Sequence, residues 1–421
     1  MMTLLNKLPE DLKKIIRQAA VVSGQAKMPA YLVGGCLRDL ILGVKNFDLD
    51  ITVEGEGILL AKKLAKKLKA ELITHEQFKT ATLILPNRIK VDVATTRQEK
   101  YSAPAVLPAV IPGRLRDDLK RRDFTINAMA VNISVKEKQI IIDPFAGQDD
   151  LAAGKIRILH DLSFKDDPTR ILRAVRFSQR FDFEIEPHTL RLLKAAIGAG
   201  DMEKVNPHRM RDELILILKE PDPFKSLAAL DDLGGLSFID PALKLGKSAR
   251  VLFKSIGRQL GWFAKNFPAR RQLDNWLVYF AALLSPSALV HKKAILQRLG
   301  LRKGEIKRIM DYFQERKKLI SVLSKPKVSP ERIFSLLEPL SYETIILLSA
   351  TSQNKNLKKY LSDFFEVYNG MRICVSGADL GGLGVKPGPE YQKIFAKVLA
   401  AKLNGRLKNR RDELALIRKL V

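Results

Sequence analysis

The sequence predicts an α+β protein: a mixed sheet with helices over roughly the first third, then helices alone. Three observations predict it. Short runs rich in β-branched residues, bounded by Gly, Pro and Asn, crowd the first 145 residues. Such runs almost vanish after about residue 150. Leucine-rich stretches with helical period continue from there to residue 421, broken by Pro and Gly.

The elements follow in order. The opening MMTLLNKLPEDLKKIIRQAA carries acidic residues and an amphipathic period, so it reads as a helix and not as a leader peptide. AYLVGG (30–35) and FDLDITVEG (47–55) read as strands with a short helix at 37–42 between them. EGILLAKKLAKKLKA (56–70) is helical. TATLILP (80–86) and IKVDVATT (89–96) form a hairpin about Asn87, and INAMAVNI (126–133) and QIIID (139–143) are further strands. The expected domains are an α/β unit over 1–145, a helical unit over 146–240 and a longer helical region over 241–421.

Composition narrows the partners. Apolar residues make up 46%, enough for a sizeable core, and 73 Lys and Arg against 46 Asp and Glu give a net charge of +27. Such a charge repels itself unless a polyanion screens it, so nucleic acid is the leading partner and an anionic membrane surface the second. Basic clusters recur at Lys62 to Lys69, Arg114 to Arg122, Lys355 to Lys359 and Lys402 to Arg411. Each alone reads as a solvated face; together they offer many phosphate contacts. Cys36 and Cys374 cannot build a disulfide framework or a multi-cysteine zinc site. The five histidines show no HxH or HxxxH spacing. No apolar run reaches the ~20 residues of a membrane helix, and the expectation is a soluble cytoplasmic protein without a membrane partner. Nothing in the sequence sets an oligomeric state.

The chemistry concentrates in YLVGGCLRDLILGVKNFDLDI, residues 31 to 51. Asp48 and Asp50 alternate with apolar residues on an expected strand, so both side chains point to one face. Two carboxylates there repel each other, and a divalent cation relieves the repulsion; Mg²⁺ suits a pair of carboxylates completed by substrate phosphate oxygens. Gly34 and Gly35 end a strand before a helix, where backbone N–H groups can approach phosphate, and Arg38 lies one turn on. A DxD or a GG alone is better read as a surface strand or a connecting turn, because such short patterns are common by chance. The ordered set of strand, GG, Arg, strand and DxD favours the functional reading.

That stretch resembles the signature GGxVRDxLLG followed by DxD of the class II tRNA nucleotidyltransferase and bacterial poly(A) polymerase family, with Leu37 in place of the usual Val. RRDFTINAMA (121–130) is similar to the family's RRDFTINA string. In it Arg122 offers a planar fork to phosphate or sugar, with Asp123 expected to orient it and Asn127 to reach a ribose hydroxyl. DPFAGQDDL leading into DDPTRILRAVRF (143–177) resembles the family's DPxxGxxDL and EDPxRxLRxxRF, with Asp166 where the family has Glu.

On an ideal helix with Asp167 at zero, Ile171, Val175 and Leu172 fall at roughly 40°, 80° and 140°, forming a core face. Arg176, Arg180, Arg173 and Arg170 fall at roughly 180°, 220°, 240° and 300°. A carboxylate only accepts hydrogen bonds and a guanidinium only donates. An Asp167–Arg170 pair therefore matches cytosine and adenine, which present an amino donor beside a ring-nitrogen acceptor, and mismatches uracil and guanine. Without the resemblance, a salt-bridged Asp/Arg helix is an equally good reading. HRMRDELILILKE (208–220) resembles the family's ERxxxEL helix at Arg209 and Glu213 and is read as support for the site; residues 375–410 are similar to its tail segment, which residue by residue reads better as a helix–turn–helix packing element.

The resemblance implies a head with the DNA polymerase beta-like nucleotidyltransferase fold, followed by an all-helical neck, body and tail. It implies that Asp48 and Asp50 are catalytic and hold Mg²⁺. Gly35, Arg38 and Arg122 contact the nucleotide, Asp167 and Arg170 read the base, and Arg173 and Arg176 line the nucleotide site. The implied reaction adds CCA, or part of it, to the 3′ end of tRNA from CTP and ATP. Poly(A) synthesis, CC-only addition or A-only addition would share these motifs. A catalytically silent RNA-binding protein is opposed by the intact Asp48 and Asp50, and nucleotidylation of a small molecule or protein by the charge and the long helical region. Asp92 and the Pro- and Ala-rich 101–118 segment carry no assigned role.

Overall fold

The computed structural model describes residues 4–44, 48–100, 105–106, 108–134 and 140–421. The first three residues of the expected N-terminal helix, Phe47, Gln139, and 101–104 and 107 of the Pro- and Ala-rich segment lie outside the described residues. The chain divides into two compact units, Met1–Ile217 with Lys225–Phe238, and Leu218–Phe224 with Ile239–Val421.

The first unit opens with α1 (Glu10–Ala26), β1 (Ala30–Val33), α2 (Gly35–Leu42), β2 (Leu49–Val53) and α3 (Gly57–Leu68). It continues with β3 (Glu71–His75), β4 (Thr80–Ile84), β5 (Lys90–Thr95), the hairpin β6 (Arg97–Lys100) and β7 (Ala109–Pro112), α4 (Leu115–Lys120), β8 (Ala130–Asn132) and β9 (Ile141–Ile142). Then come α5 (Gly147–Ala152), the two-residue pair β10 (Lys155–Ile156) and β11 (Glu184–Ile185), α6 (Ser163–Asp166), α7 (Thr169–Phe181), α8 (Pro187–Gly198), α9 (Pro207–Leu218) and α10 (Pro223–Asp232). The α+β expectation is met.

Seven strands form a mixed sheet in the order β3-β4-β5-β2-β1-β8-β9. β2 pairs parallel with β5, and β1 antiparallel with β2 and β8. The alternation in Lys90-Val-Asp-Val-Ala-Thr buries Val91 and Val93 while Asp92 stays exposed. Leu49, Ile51 and Val53 of β2 are buried on the same face, with Leu60, Ala61 and Leu64 of α3 in that core. Asp50 stands in register with Asp92, so the two carboxylates share the other face.

Three local expectations change. The strand expected over 126–133 is shortened to β8, because Thr125–Asn127 winds into a 3-10 turn. β3 and the β6–β7 hairpin were not expected; their exposed residues blunt the apolar alternation by which strands are recognised. Asp48 precedes β2 rather than lying within it.

The second unit is helical: α11 (Ala249–Asn266), α12 (Asn275–Leu283), α13 (Leu289–Arg298), α14 (Lys303–Leu323), α15 (Pro330–Leu337), α16 (Tyr342–Thr351), α17 (Lys355–Asp363), α18 (Gly377–Gly382), α19 (Pro389–Leu403) and α20 (Arg410–Leu420). Residues Glu343 to Ala350 of α16 are all buried, consistent with its weak apolar period. Leu380, Ile394, Val398 and Ile417 form the core of the last three helices, so the tail segment is a packing element. Lys402 within its basic run turns to Glu413 at 2.7 Å. Among the described residues no single helix is long and apolar enough to cross a membrane.

Glu343 is the electrostatic anchor of this unit. Its carboxylate receives both arms of Arg271 at 2.7 and 2.8 Å, and Arg308 at 3.2 Å. Although burial pulls its pKa up, Arg271 and the Asp274 N–H bring it down to about 2 from 4.5. The stabilisation is present above 4.5 and is lost as pH falls through about 2. Arg271 is half-exposed, which discounts the pair. Glu343→Gln is expected to cost about 2 kcal/mol at pH 7 and progressively less below pH 4, measured by urea unfolding at the two pH values.

Candidate active site

The site grows from the turn after β1. Gly34 has φ +71°, and a Cβ there would lie 2.8 Å from Nη1 of Arg122 and 3.4 Å from Oδ2 of Asp50. Glycine is thus required both by the backbone and by the close approach of these two groups. Gly35 begins α2, with Nη2 of Arg38 only 3.3 Å from where its Cβ would be.

Asp48 and Asp50 open onto one cavity of about 700 Å³, together with Gly34, Gly35, Arg38, Arg122, Asp167, Arg170, Arg173 and Arg176. Every predicted site residue therefore lines this one cavity. Burial pushes the Asp50 carboxyl up to about 6, Arg122 opposes this, and Asp92 and Asp48 add to it. Cys36 lines the same cavity, where burial beside these carboxylates raises its thiol to about 12.

A divalent cation fits this donor set: two oxygen ligands, mutually repelling, beside open cavity. Among the described residues no cluster of three or more Asp, Glu, His or Cys has metal-holding geometry. The two carboxylates alone would leave the rest of the shell to water and substrate, as Mg²⁺ prefers.

Arg122 is oriented by a residue the sequence did not single out. Its Nη2 donates to Asp118 at 3.1 Å, and Asp118 is fully buried at the start of the same turn. Despite that burial, Arg122 and Arg121 hold the Asp118 carboxyl below its ordinary value. The Nε of Arg122 is buried without a hydrogen-bond partner among the described residues.

Asp123, expected to orient Arg122, turns instead to Arg173, which donates at 2.6 and 2.8 Å. Burial opposes its ionisation, but Arg173 and the Asn127 amide hold Asp123 far below the usual carboxylate range. Asn127 is spent on the protein: its Nδ2 donates to Asp123 at 2.9 Å and its Oδ1 accepts from Arg38 at 2.6 Å. Arg38 also donates to Asp39 at 2.7 and 2.8 Å and lies 5.0 and 4.7 Å from the ring centres of Phe177 and Phe181. It forms part of the cavity wall with each of its three nitrogens bonded to a protein oxygen.

The ideal-helix placement of Asp167 needs correction. Pro168 divides α6 from α7, and Asp167 adopts an extended φ of −140° before it. Its Oδ1 braces the first residue of α7, accepting from the Thr169 N–H at 3.1 Å and hydroxyl at 2.6 Å. The two faces of α7 stand as read: Ile171, Leu172 and Val175 are fully buried, while Arg170, Arg173, Arg176 and Arg180 line the cavity. The expected side-chain pairing does not form. Among the described residues only the backbone bond from Arg170 N–H to Asp167 O, 3.0 Å, joins these two. Asp167 pairs with Arg209 at 2.8 Å; Arg170 donates to Ser163 at 2.6 Å and to the Arg121 carbonyl at 2.7 Å. Glu213 braces Arg173 at 3.0 Å and Arg176 at 3.2 Å, so α9 supports the site as read.

Asp118 was legible in hindsight, an acid four residues ahead of Arg122 across a helix end. Arg97, Glu99 and Arg121, which also line the cavity, belong to the unexpected hairpin and its ion pairs.

A sheet carrying paired acids beside a glycine turn, next to a helix with an arginine face, places the first unit in the nucleotidyltransferase class. Residues 30–157 match the Poly A polymerase head domain, and residues 182–245 match the probable RNA and SrmB-binding site of polymerase A. The A-adding tRNA nucleotidyltransferase of Halalkalibacterium halodurans is 32% identical over 98% of this chain and 93% of that protein. The A-adding enzyme of Geobacter sulfurreducens is 35% identical over 98% of this chain, which spans only 48% of that relative's length. A Thermotoga maritima CCA-adding enzyme solved in complex with tRNA superposes with a TM-score of 0.73 at 31% identity, covering 100% of both chains. The chain belongs to the tRNA nucleotidyltransferase and poly(A) polymerase family.

Proposed function

We propose that the protein is a template-independent nucleotidyltransferase that adds CCA, or part of it, to the 3′ end of tRNA from CTP and ATP. The observation that carries the reading is the single cavity in which the Asp48–Asp50 pair meets the Asp167–Arg170 edge. In it the RNA 3′-hydroxyl attacks the α-phosphate of the nucleotide and pyrophosphate leaves. Asp48 and Asp50 would hold Mg²⁺, which when bound lowers the pKa of the attacking hydroxyl and offsets triphosphate charge.

The chain's own residues do the rest. Arg122, held by Asp118 over the Gly34 turn, faces phosphate. Arg38, braced by Asp39, Asn127 and two phenylalanine rings, fixes the wall behind it. Asp167 accepts from the base amino group and Arg170 donates to the ring nitrogen. Uracil and guanine would leave both unpaired, a mismatch that can discriminate by ~10⁴. The same reading makes 1–145 a head, 146–240 a neck and 241–421 a body and tail that grip tRNA by backbone and shape.

Addition of A alone is the narrower reading, because relatives aligned to 98% of the chain bear that name, and full CCA addition stands beside it, because a structure aligned to 100% is a CCA-adding enzyme. The test is incubation with tRNAs lacking A, CA or CCA, each with CTP, ATP or both. Extension of the A-lacking tRNA alone supports A-addition. Extension of all three to the full end supports CCA addition, and long A tails indicate poly(A) synthesis. No extension of any tRNA overturns the proposal.

A further inference from the structure

Asp167 and Arg170 carry opposite charges three residues apart, where side chains of opposite sign can meet. They do not. Each is drawn away by other partners: Asp167 by Thr169 and by Nη2 of Arg209 at 2.8 Å, Arg170 by Ser163 at 2.6 Å and by the Arg121 carbonyl at 2.7 Å. We propose that Arg209 is the positioning residue that holds the base-reading pair apart, so that an acceptor and a donor both remain available to the incoming base. The inference rests on the reading of that pair given above.

The geometry gives Arg209 a fixed platform. It sits on α9 one turn before Glu213, and Glu213 is tied to α7 through Arg173 and Arg176. A guanidinium anchored on one helix can therefore hold a carboxylate at the entry of another. Thr169 cannot do this alone, because both of its bonds go to Oδ1 and leave Oδ2 free to swing. Among the described residues Arg209 is the only ion-pair partner of Asp167, and Arg170 lines the same cavity three residues on. Closure of Asp167 on Arg170 would cancel the acceptor and the donor together, so the expected loss is in discrimination and nucleotide affinity and not in the transfer step.

The test uses the full chain with Arg209→Gln and Arg209→Lys. Each of the four nucleotides is added singly to a tRNA that accepts the correct one. For Arg209→Gln, KM for the correct nucleotide should rise about tenfold while kcat changes less than about threefold. The kcat/KM ratio of correct nucleotide to UTP or GTP should fall about tenfold or more. Arg209→Lys should restore part of the selectivity. If Arg209→Gln does not fold, Thr169→Val, which removes the hydroxyl bond to Oδ1, should shift selectivity in the same direction by a smaller factor. A kcat loss equal for all four nucleotides, or selectivity unchanged in a folded variant, overturns the role of Arg209. A wild-type protein that takes all four nucleotides equally overturns the base-reading pair itself, and one that extends no tRNA overturns the proposed function.

Discussion

Asp50→Ala abolishes nucleotide addition, by a factor of about 10³ or more, while RNA binding is kept; this is the expected outcome of a filter-binding and a primer-extension measurement on one preparation. The carboxyl is the inner member of the acidic pair, beside the Gly34 turn and Arg122. Retained activity would remove the acidic pair from the mechanism. The isosteric Asp50→Asn separates chemistry from folding. The folded value of about 6 lies above the ordinary 3.8, so burial works against the charged form at neutral pH. Stability from this group grows as pH falls from about 6 toward 3.8, and it is least at pH 7. Asp50→Asn should therefore raise the metal-free protein's stability by about 2 kcal/mol at pH 7, with the gain fading as pH falls from about 6 toward 3.8, while extending no RNA. Cation affinity should weaken over the same acid range, because protons compete for the ligand.

The second large effect is expected at Arg173. It bridges two acids, Asp123 and Glu213, from different elements, and Asp123 is buried. Removing the arginine leaves that carboxylate without its main partner, which costs about 3–5 kcal/mol. The folded Asp123 is depressed, so its contribution is present above 3.8 and lost as pH falls below it. Arg173→Ala should thus be most destabilising at pH 7, and the gap to wild type should narrow below about pH 4, as read by urea unfolding. Arg173→Lys should fall between, since a point charge cannot make the forked contact to Asp123 and still reach Glu213. An Arg173→Ala protein as stable as wild type at neutral pH would show that Asp123 does not depend on this contact.

Much of the site was legible because its chemistry is local. Asp48 and Asp50 are two residues apart, and the arginines of α7 recur at helical spacing, so periodicity alone groups them. What was not legible depends on which distant side chain wins a competition. Asp123 is adjacent to Arg122 in sequence, yet backbone direction turns it toward Arg173, fifty residues on, and leaves Arg122 to Asp118. Asp167 looked helical because its neighbours are; the proline after it takes it out of the helix and frees its carboxylate for Arg209. β3 and the β6–β7 hairpin stayed hidden because exposed strands carry little apolar alternation, and the ion pairs of Glu99 and Arg121 were hidden with them.

Arg38, Asn127, Asp123, Arg173, Glu213 and Arg176 form an unbroken string of hydrogen bonds from the second helix to the ninth. Its consequence is historical. Each of the four inner members satisfies two others, so a lone replacement there strands a neighbour inside the protein, and drift at any of them is blocked unless a second follows. Descendants of this gene should inherit the string whole or remodel it in linked steps, while the surrounding surface wanders freely.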